Sequence, residues 1–463
     1  MTSCALVCGA GCGERIPWLS TSPRTTCARC GELLDVKQDL TAVAAERAAT
    51  WHTRFEARLR VGVGADASGV WSKREWVLPG LAEESIVTLG EGRTPLVPAP
   101  RLGAILGVPD LWIKQCGQSL TGSFKDLGMT VLVSAVVALR RAGAPIRAVL
   151  CASTGDTSAA LAAYAAAADL PAIVLLPNAK ITTAQLLQPL AHGALVLALQ
   201  TDFDGCMSVV RELVERSPLA SQLYLANSMN PLRIEGQKTA ALEICEQLSW
   251  TAPDWIALPG GNLGNTAATS AGLEIAEASG LIARHTRLLV GQASAADPLA
   301  RAAESGFEKF EAREAGATAA SAIRIGNPVS VRRAIRALQR CGGTAESVTE
   351  DELGRAAAEA DRTGLYVCPQ TAVALAAVGK AARRGVVGAK DRVVVLATAH
   401  GLKFSEFKAA YHEGRLAGAA SRRANAPIEV TATVDAAQSA IARYLEASDT
   451  RRLSIPSPLS NSL

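Results

Sequence analysis

A lysine in a tight turn is the residue of this chain that is best placed to do covalent chemistry. Lys125 follows a Gly-Ser-Phe turn, and Asp126 stands next to it, where an acidic side chain complements the N-terminus of an apolar helix. A lone lysine at a helix start usually points into water. Here the aromatic Phe124 would shield the amine, which favours a lowered pKa and Schiff-base chemistry. We therefore predict that Lys125 is the catalytic residue.

A glycine-rich turn offers a site for an anion. The run Leu258–Asn265 lies between an apolar strand and a helix that starts near Thr266. Glycines let consecutive backbone N–H groups turn inward, and the helix N-terminus adds partial positive charge. The spacing is G-G-x-x-G, and Glu274 and Glu277 come too early to be the acidic residue of a dinucleotide fingerprint. The turn therefore favours a phosphate ester of mononucleotide size.

A polar run between a strand and a helix offers a second candidate anion site. The hydroxyls of Ser153, Thr154 and Thr157, with the N–H groups around Gly155, could hold a substrate carboxylate. The alternative is a plain helix cap formed by Thr157 or Asp156. The residues alone leave both interpretations open.

A guanidinium, amides and a hydroxyl come together in a third run. Arg233 can donate two parallel hydrogen bonds to a phosphate or a carboxylate, and Asn227 and Ser228 lie just before it. Without further context, a surface arginine at a helix start is the simpler interpretation.

Two threonines and a histidine follow later in the chain. Thr398 and His400 come directly after the last strong strand, and Thr371 precedes a helix, where it is placed to line a pocket. A single histidine in a glycine turn is more often a structural hydrogen-bonding group than a base, so His400 is not assigned a catalytic role.

Five of the eleven cysteines crowd the start of the chain, and four of these form two knuckles. The pairs Cys8-x3-Cys12 and Cys27-x2-Cys30 are each followed by glycine, which suits a structural, tetrahedral zinc ribbon. The alternative is a ribbon that folds without metal. An odd cysteine total without a signal peptide argues against a disulfide framework.

The elements that must position these groups alternate along the chain. Short β-rich runs and amphipathic helices follow one another, which is typical of parallel α/β layers. The strand ends meet Gly, Ser, Thr or Asn, where open α/β sheets place their ligands. The predicted strands are residues 111–114, 148–152, 172–176, 194–199, 255–258, 288–290 and 393–397.

Composition excludes several classes of protein. The 463 residues are 49% apolar and carry a formal net charge of only +4, which does not favour nucleic acid or an anionic membrane as partner. Asp169 and Pro171 interrupt the apolar segment that comes closest to membrane-spanning length. The N-terminus shows neither a signal nor a transit pattern, so we predict a cytoplasmic protein.

Several of these runs resemble the plant-type threonine synthases, in the order of that family. The resemblance covers the lysine, glycine-rich, Cys151–Ser158 and Thr398 motifs, and also the runs Ser68–Pro79 and Glu91–Leu96. It implies a fold-type-II pyridoxal-phosphate (PLP) enzyme with two α/β lobes of parallel sheet and an N-terminal zinc-ribbon-like module. The implied organisation is a ribbon module over 1–40, a helical and loop connector over 41–100, a PLP-binding core over 101–415 whose smaller lobe spans about 130–245, and a C-terminal extension with a mobile tail over 416–463.

The same resemblance implies a cofactor, a substrate and the residues that hold them. Pyridoxal 5′-phosphate would be held by Lys125, with Thr398 at its pyridine nitrogen and Asp156, where many relatives have Asn, at its phenolic oxygen. The implied cofactor contacts are Phe124, Asp156, Gly260, Gly261, Asn262, Leu263, Gly264, Asn265, Thr371 and Thr398. The implied contacts to the substrate, O-phospho-L-homoserine, are Lys114, Ser153, Thr154, Gly155, Thr157, Asn227, Ser228 and Arg233.

The predicted reaction converts O-phospho-L-homoserine and water into L-threonine and phosphate, in a homodimer as the family implies. One alternative is another elimination or replacement enzyme on the same scaffold, such as a cysteate-synthase-like one. A second is a non-catalytic protein that binds the cofactor, or that contacts a partner through the ribbon. A nicotinamide dehydrogenase and a nucleic-acid-binding ribbon fit the motifs and the charge balance less well.

Overall fold

The computed structural model describes residues 3–20, 24–153, 155–178 and 183–452. Thr154 and the end of the predicted C-terminal tail lie outside these described residues. The chain forms two units, of which the first ends at Arg423 and the second begins at Ala424.

Thirteen strands occur in the described residues. They are β1 (Cys4–Cys8), β2 (Arg15–Ile16), β3 (Leu34–Gln38), β4 (Leu96–Pro98), β5 (Leu111–Lys114), β6 (Ala148–Ala152), β7 (Ala172–Pro177), β8 (Leu195–Leu199), β9 (Leu223–Leu225), β10 (Trp255–Pro259), β11 (Arg287–Ala293), β12 (Thr344–Val348) and β13 (Val393–Leu396).

The α-helices of the same described ranges number seventeen, the last of them in the second unit. They are α1 (Leu40–Ala45), α2 (Ala48–Leu59), α3 (Arg74–Val77), α4 (Pro100–Leu106), α5 (Lys125–Arg141), α6 (Asp156–Ala167), α7 (Thr183–Ala191), α8 (Phe203–Glu215), α9 (Leu232–Gln237), α10 (Thr239–Gln247), α11 (Gly264–Ala278), α12 (Pro298–Glu304), α13 (Val331–Arg340), α14 (Glu350–Asp361), α15 (Pro369–Arg383), α16 (Ser405–His412) and α17 (Val434–Arg452).

Two sheets make up the α/β core. The larger has the order β12-β11-β10-β13-β5-β4, and all its neighbouring strands are parallel except the β4–β5 pair at one edge. The smaller has the order β8-β7-β6-β9 and is parallel throughout. The central strands β6, β10 and β13 are buried along their whole length, which explains why they read as apolar runs in the sequence.

The strands predicted from the sequence are all present. Six further strands of the core and ribbon were not predicted as strands from the sequence, namely β1, β2, β3, β4, β9 and β12. β9 has only three residues, and β12 reads Thr-Ala-Glu-Ser-Val at the edge of the larger sheet, so neither gives an apolar run. The smaller sheet, which spans residues 148–225, lies within the range predicted for the smaller lobe.

The N-terminal module is a separate antiparallel sheet of order β2-β1-β3. It rests on α13, where the guanidinium of Arg333 donates to the Asp35 carboxylate and to the Leu34 carbonyl oxygen. Arg336 donates to the Gly9 carbonyl oxygen at 2.9 Å. Arginines of α13 therefore fix one part of the ribbon to the core, and Gln38 at the end of β3 adds hydrogen bonds to the Val77 carbonyl oxygen and to Glu235.

None of the described helices combines the length and the apolar character needed to cross a membrane.

Candidate functional site

The loops that carry the predicted residues leave the carboxyl ends of parallel strands. Two of them are joined by backbone hydrogen bonds: the Phe124 N–H donates to the Thr398 carbonyl oxygen at 2.8 Å, and the His400 N–H donates to that of Gly122 at 2.9 Å. Because these bonds tie the turn before Lys125 to the segment after β13, the lysine is held at the centre of the larger sheet.

The Lys125 side chain is half-buried, and its amine lies 4.1 Å from the centre of the Phe124 ring. The pKa of Lys125 is lowered from 10.5 to about 7. Burial is the largest cause and the positive charge of Arg233 the second, while the Asp156 carboxylate acts in the opposite direction. With a pKa of about 7, about half of the amine is neutral at pH 7 and can act as a nucleophile and a base.

Close packing of two helices places Arg233 near Lys125. A β-carbon on Gly236 of α9 would lie 1.7 Å from the Leu127 carbonyl oxygen of α5, and one on Gly128 would lie 2.8 Å from the Arg233 carbonyl oxygen. Only glycines allow this approach, so the distance between the lysine helix and the arginine helix is set by two residues without side chains.

The Arg233 guanidinium is buried, with 3% of the residue exposed. No carboxylate pairs with it within the described part of the chain. One nitrogen donates to the Ala226 carbonyl oxygen at 3.2 Å and another to the Thr157 hydroxyl at 3.4 Å, while Nε has no partner. Burial lowers its pKa to about 10, so the group stays charged at neutral pH. A buried cation without a counter-charge indicates a site for an anion.

The glycine-rich turn lies between β10 and α11. A β-carbon on Gly260 would lie 2.5 Å from Val290 Cγ1, and one on Gly261 would lie 3.1 Å from Ile323 Cα. Leu263 adopts a left-handed conformation with φ of 64°, which turns the chain into the N-terminus of α11, where Gly264 begins the helix. The Asn265 side chain donates to the Pro259 carbonyl oxygen at 2.7 Å and thereby braces the turn.

Asn262 connects this turn to the helix that carries the ribbon. Its carbonyl oxygen accepts from the Ser330 N–H at 3.2 Å, and its side-chain oxygen accepts from the Val329 N–H at 3.4 Å. These residues come just before α13.

Thr398 is buried on the other side of the lysine turn. Its N–H donates to the Thr371 hydroxyl at 3.2 Å, and its own hydroxyl lies 3.9 Å from the Cys368 sulfur. Cys368 caps α15 by accepting from the Thr371 N–H at 3.4 Å. The structure thus brings Thr371 and Thr398, both predicted cofactor contacts, next to each other and places Cys368 beside them.

The loop before α6 is organised by Ser153. Its hydroxyl accepts from the N–H groups of Gly155 and Ser158, both at 3.2 Å. The alternative interpretation, a plain helix cap by Thr157 or Asp156, is wrong. The Thr157 hydroxyl accepts from Arg233, and the Asp156 carboxylate pairs with another residue. Thr157 therefore links the start of α6 to Arg233.

Two residues predicted to contact substrate have their side chains engaged by the protein. The Asn227 amide exchanges hydrogen bonds of 3.0 and 2.8 Å with the backbone of Ala152 and so ties the end of β6 to the loop after β9. The Lys114 amine donates to the Thr94 carbonyl oxygen at 2.6 Å, to Glu243 at 2.5 Å and to Gln247 at 2.9 Å. All three Lys114 protons are used there, so Lys114 is not among the residues that the structure brings to the site. Ser228 is partly exposed beside Asn227.

Asp156 has a partner that sequence reasoning missed. The Lys403 amine lies 3.0 Å from an Asp156 carboxylate oxygen and donates to the Thr121 carbonyl oxygen at 2.8 Å. Lys403 follows His400 by three residues after β13, but nothing in its spacing signals a contact with α6.

The four predicted metal ligands lie together in the ribbon. The sulfurs of Cys8, Cys12, Cys27 and Cys30 are all within 4.8 Å of one another, with separations of 3.4 Å for Cys8–Cys30 and 3.3 Å for Cys12–Cys27. In a tetrahedral zinc site with bonds of about 2.3 Å, the sulfurs stand ~3.8 Å apart. The cluster therefore fits a structural zinc ion with four thiolate ligands.

Comparisons with known proteins agree with this architecture. A family model described as pyridoxal-phosphate dependent enzyme matches residues 87–399. Threonine synthase 2, chloroplastic, of Arabidopsis thaliana is 49% identical over 424 residues, which are 91% of this chain and 81% of that protein. The threonine synthase of Methanocaldococcus jannaschii is 40% identical over 336 residues, which are 72% of this chain and 80% of that protein.

Solved structures show the same fold. The threonine synthase of Escherichia coli aligns with a TM-score of 0.65 at 19% identity and covers 96% of this chain and 100% of its own. A PLP-bound threonine synthase of Brucella melitensis aligns with a TM-score of 0.63 at 21% identity and covers 88% and 91% of the two chains.

Proposed function

Because the chain belongs to the family of pyridoxal-phosphate dependent enzymes, we propose that it acts as a threonine synthase through the residues around Lys125. Its identity to the threonine synthases confirms the family and the enzyme class that the motifs predicted. The reaction converts O-phospho-L-homoserine and water into L-threonine and phosphate.

The residues present fit the cofactor. Lys125 supplies an amine of lowered pKa for its aldehyde, and the glycine turn with the N-terminus of α11 supplies donors for its phosphate. The buried Thr398 hydroxyl suits a pyridine nitrogen that is not forced to carry a proton. When bound, the conjugated ring accepts the electron pair that is left when a proton leaves the carbon next to the substrate amine.

The observation that carries the proposal is the buried Arg233 guanidinium beside Lys125, which has no acidic partner among the described residues and whose Nε has no hydrogen-bond partner there. We assign Arg233 to the phosphate of the substrate, with Ser228 nearby, because a planar guanidinium binds phosphate through two parallel hydrogen bonds. The loop around Ser153, Gly155 and Thr157, at the N-terminus of α6, would hold the substrate carboxylate. Both anionic ends of the substrate then have a partner.

Lys125 would move the protons. In its neutral form it takes the proton from Cα of the bound substrate, and in its protonated form it can return a proton as the reaction proceeds. A proton must also leave Cβ before phosphate departs from Cγ. Cγ then gains a proton, water adds at Cβ, and Cα regains its proton. Asn227 would orient the loops rather than react, because its amide is bonded to the Ala152 backbone.

Three further features stay predictions. The four-cysteine ribbon is proposed to hold a structural zinc ion, the enzyme to form a homodimer, and its location to be cytoplasmic. The substrate is a small molecule, and nucleic acid or a membrane is not expected as a partner.

The test is an assay of the purified protein with PLP and O-phospho-L-homoserine, with a Lys125→Ala variant as the negative control and Lys390→Ala, at an exposed lysine, as the matched control. We expect equal amounts of threonine and phosphate from the unaltered protein and from Lys390→Ala, and none from Lys125→Ala. If the cofactor binds through Lys125 but O-phospho-L-homoserine is not converted, the result would favour another elimination or replacement enzyme, such as a cysteate-synthase-like one. Failure to bind the cofactor would favour the non-catalytic binding protein.

A further inference from the structure

Lys403 makes contacts that the reaction as described does not use. Its amine pairs with Asp156 Oδ1 at 3.0 Å and donates to the Gln188 side-chain oxygen at 3.0 Å and to the Thr121 carbonyl oxygen at 2.8 Å. The three protons of the ammonium therefore have three acceptors. Both side chains of the ion pair are well shielded from water, with 20% of Lys403 and 11% of Asp156 exposed.

The contacts of Lys403 join three separate parts of the site. Lys403 follows β13 of the larger sheet, Asp156 begins α6 beside the smaller sheet, and Gln188 lies in α7. The Lys403 side chain passes directly over Gly122, where a β-carbon would lie 2.9 Å from Lys403 Cδ. Gly122 has a φ of 78°. Glycine is therefore favoured at this position both by the left-handed backbone of the turn and by the close approach of the Lys403 side chain.

Asp156 is near enough to Lys125 to affect its protonation. Its negative charge favours the protonated amine and so acts against burial and Arg233, which favour the neutral one. A carboxylate free to rotate would gain by pairing with the ammonium form of Lys125, since an opposite charge at short range stabilises the charged state. That pairing would keep the Lys125 amine protonated, and a protonated amine cannot act as a nucleophile.

We propose that Lys403 is a positioning residue that retains the Asp156 carboxylate and keeps it from pairing with Lys125. The proposal rests on the proposed function, in which Lys125 reacts as the neutral amine. It explains how this chain tolerates Asp156 near the reactive lysine, because the Lys403 ammonium balances the charge of the Asp156 carboxylate.

Other charged and titratable groups face the same centre. Arg233 acts on Lys125, Cys368 lies within electrostatic reach of Asp156, and Lys403 also acts on the buried Asp126. Any experiment on the pair must therefore separate the loss of the Lys403 charge itself from the release of Asp156.

A double-mutant cycle on the cofactor-free protein makes this separation. PLP is added at a series of pH values, and the extent of its covalent attachment to Lys125 is followed by absorbance, giving a midpoint pH for each variant. The variants are Lys403→Met, Asp156→Asn, the double variant, and Lys390→Met as a matched exposed control. Folding of each is checked by circular dichroism.

We expect Lys403→Met to raise the midpoint by ~1 pH unit or more, a tenfold change in proton affinity. In the Asp156→Asn background the same substitution should leave the midpoint unmoved, because no carboxylate remains to be released. Lys390→Met should match the unaltered protein. If Lys403→Met does not fold, Lys403→Gln, which keeps a polar side chain without charge, takes its place with the same expectation.

Two results would overturn the inference alone: no shift in Lys403→Met, or an equal shift in both backgrounds, which would be a direct effect of the lost charge. Failure of the unaltered protein to attach PLP would instead overturn the proposed function, and this inference with it.

Discussion

The Leu127 carbonyl oxygen lies so close to Gly236 that a β-carbon added to the glycine would sit 1.7 Å from it. Leu127 is two residues after the reactive lysine, and Gly236 is three residues after Arg233. The contact between these two backbones therefore fixes the position of one functional side chain relative to the other.

Replacing Gly236 with Ala should force α9 away from α5. Overpacking of a well-filled core costs about 1–3 kcal/mol, and here the obstacle is backbone, which cannot rotate aside. We expect a lower free energy of unfolding in urea and a loss of turnover larger than the loss of stability explains, because Arg233 moves with its helix.

The matched control is Gly62→Ala, at a position where a β-carbon meets nothing within 4 Å. It should leave stability and turnover unchanged. A Gly236→Ala protein with ordinary stability and turnover would show that the helix contact does not set the site.

The buried charge of Arg233 predicts that removing it raises the stability of the ligand-free protein and weakens substrate binding. Arg233→Met removes a buried cation that has no ion-pair partner in the described structure, so the ligand-free protein should melt at a higher temperature. The same change should raise KM for O-phospho-L-homoserine by on the order of a hundredfold, since charge-assisted hydrogen bonds are worth about 1.5–3 kcal/mol each. Thermal unfolding and steady-state kinetics check the two effects.

Arg211→Met, at an exposed position of α8, is the control and should change neither quantity. A lower melting temperature for Arg233→Met, with KM unchanged, would mean that Arg233 serves the fold rather than the substrate.

Much of this site could be predicted because it lies at the ends of buried parallel strands. Strands such as β6, β10 and β13 are apolar along their length, and the loops after them must contain the polar and glycine residues. The positions of Lys125, Thr398 and the glycine turn follow from that rule. The rule says nothing about where a long side chain ends.

Two lysines show this limit. Lys114 ends β5 at the same edge of the sheet, yet its amine turns to Glu243, as the packing of α10 dictates. Lys403 reaches Gln188, which is 215 residues away in sequence, through a space that exists only because Gly122 has no side chain. Both outcomes depend on tertiary packing that no local pattern encodes.

The lowered pKa of Lys125 predicts a pH dependence of stability. Between about 7 and 10.5 the folded protein binds fewer protons on this amine than the unfolded chain does, so this group makes the free energy of unfolding rise with pH across that window. Below about 7 the amine is protonated in both states, and burying its charge costs stability.

The measurement compares urea unfolding of the cofactor-free protein with that of Lys125→Met at several pH values. The variant should be more stable than the unaltered protein at pH 6, and the difference should shrink as the pH approaches 10. A constant difference would mean that the amine has an ordinary proton affinity. Lys390→Met should follow the unaltered protein throughout.

The ribbon predicts a structural metal that supports the cofactor turn. Its four sulfurs are gathered within 4.8 Å, and α13 connects it to Asn262 through Ser330. We expect about one zinc ion per chain by elemental analysis, lost in Cys12→Ser and Cys27→Ser and kept in Cys206→Ser, whose thiol is buried far along the chain in α8.

Without the metal, the thiols lose the ion that holds them together, so limited proteolysis should cut the ribbon first. Because the ribbon braces α13, PLP should then bind more weakly to the cofactor-free protein. Metal-free protein with an intact ribbon and unchanged PLP affinity would contradict both parts of this prediction.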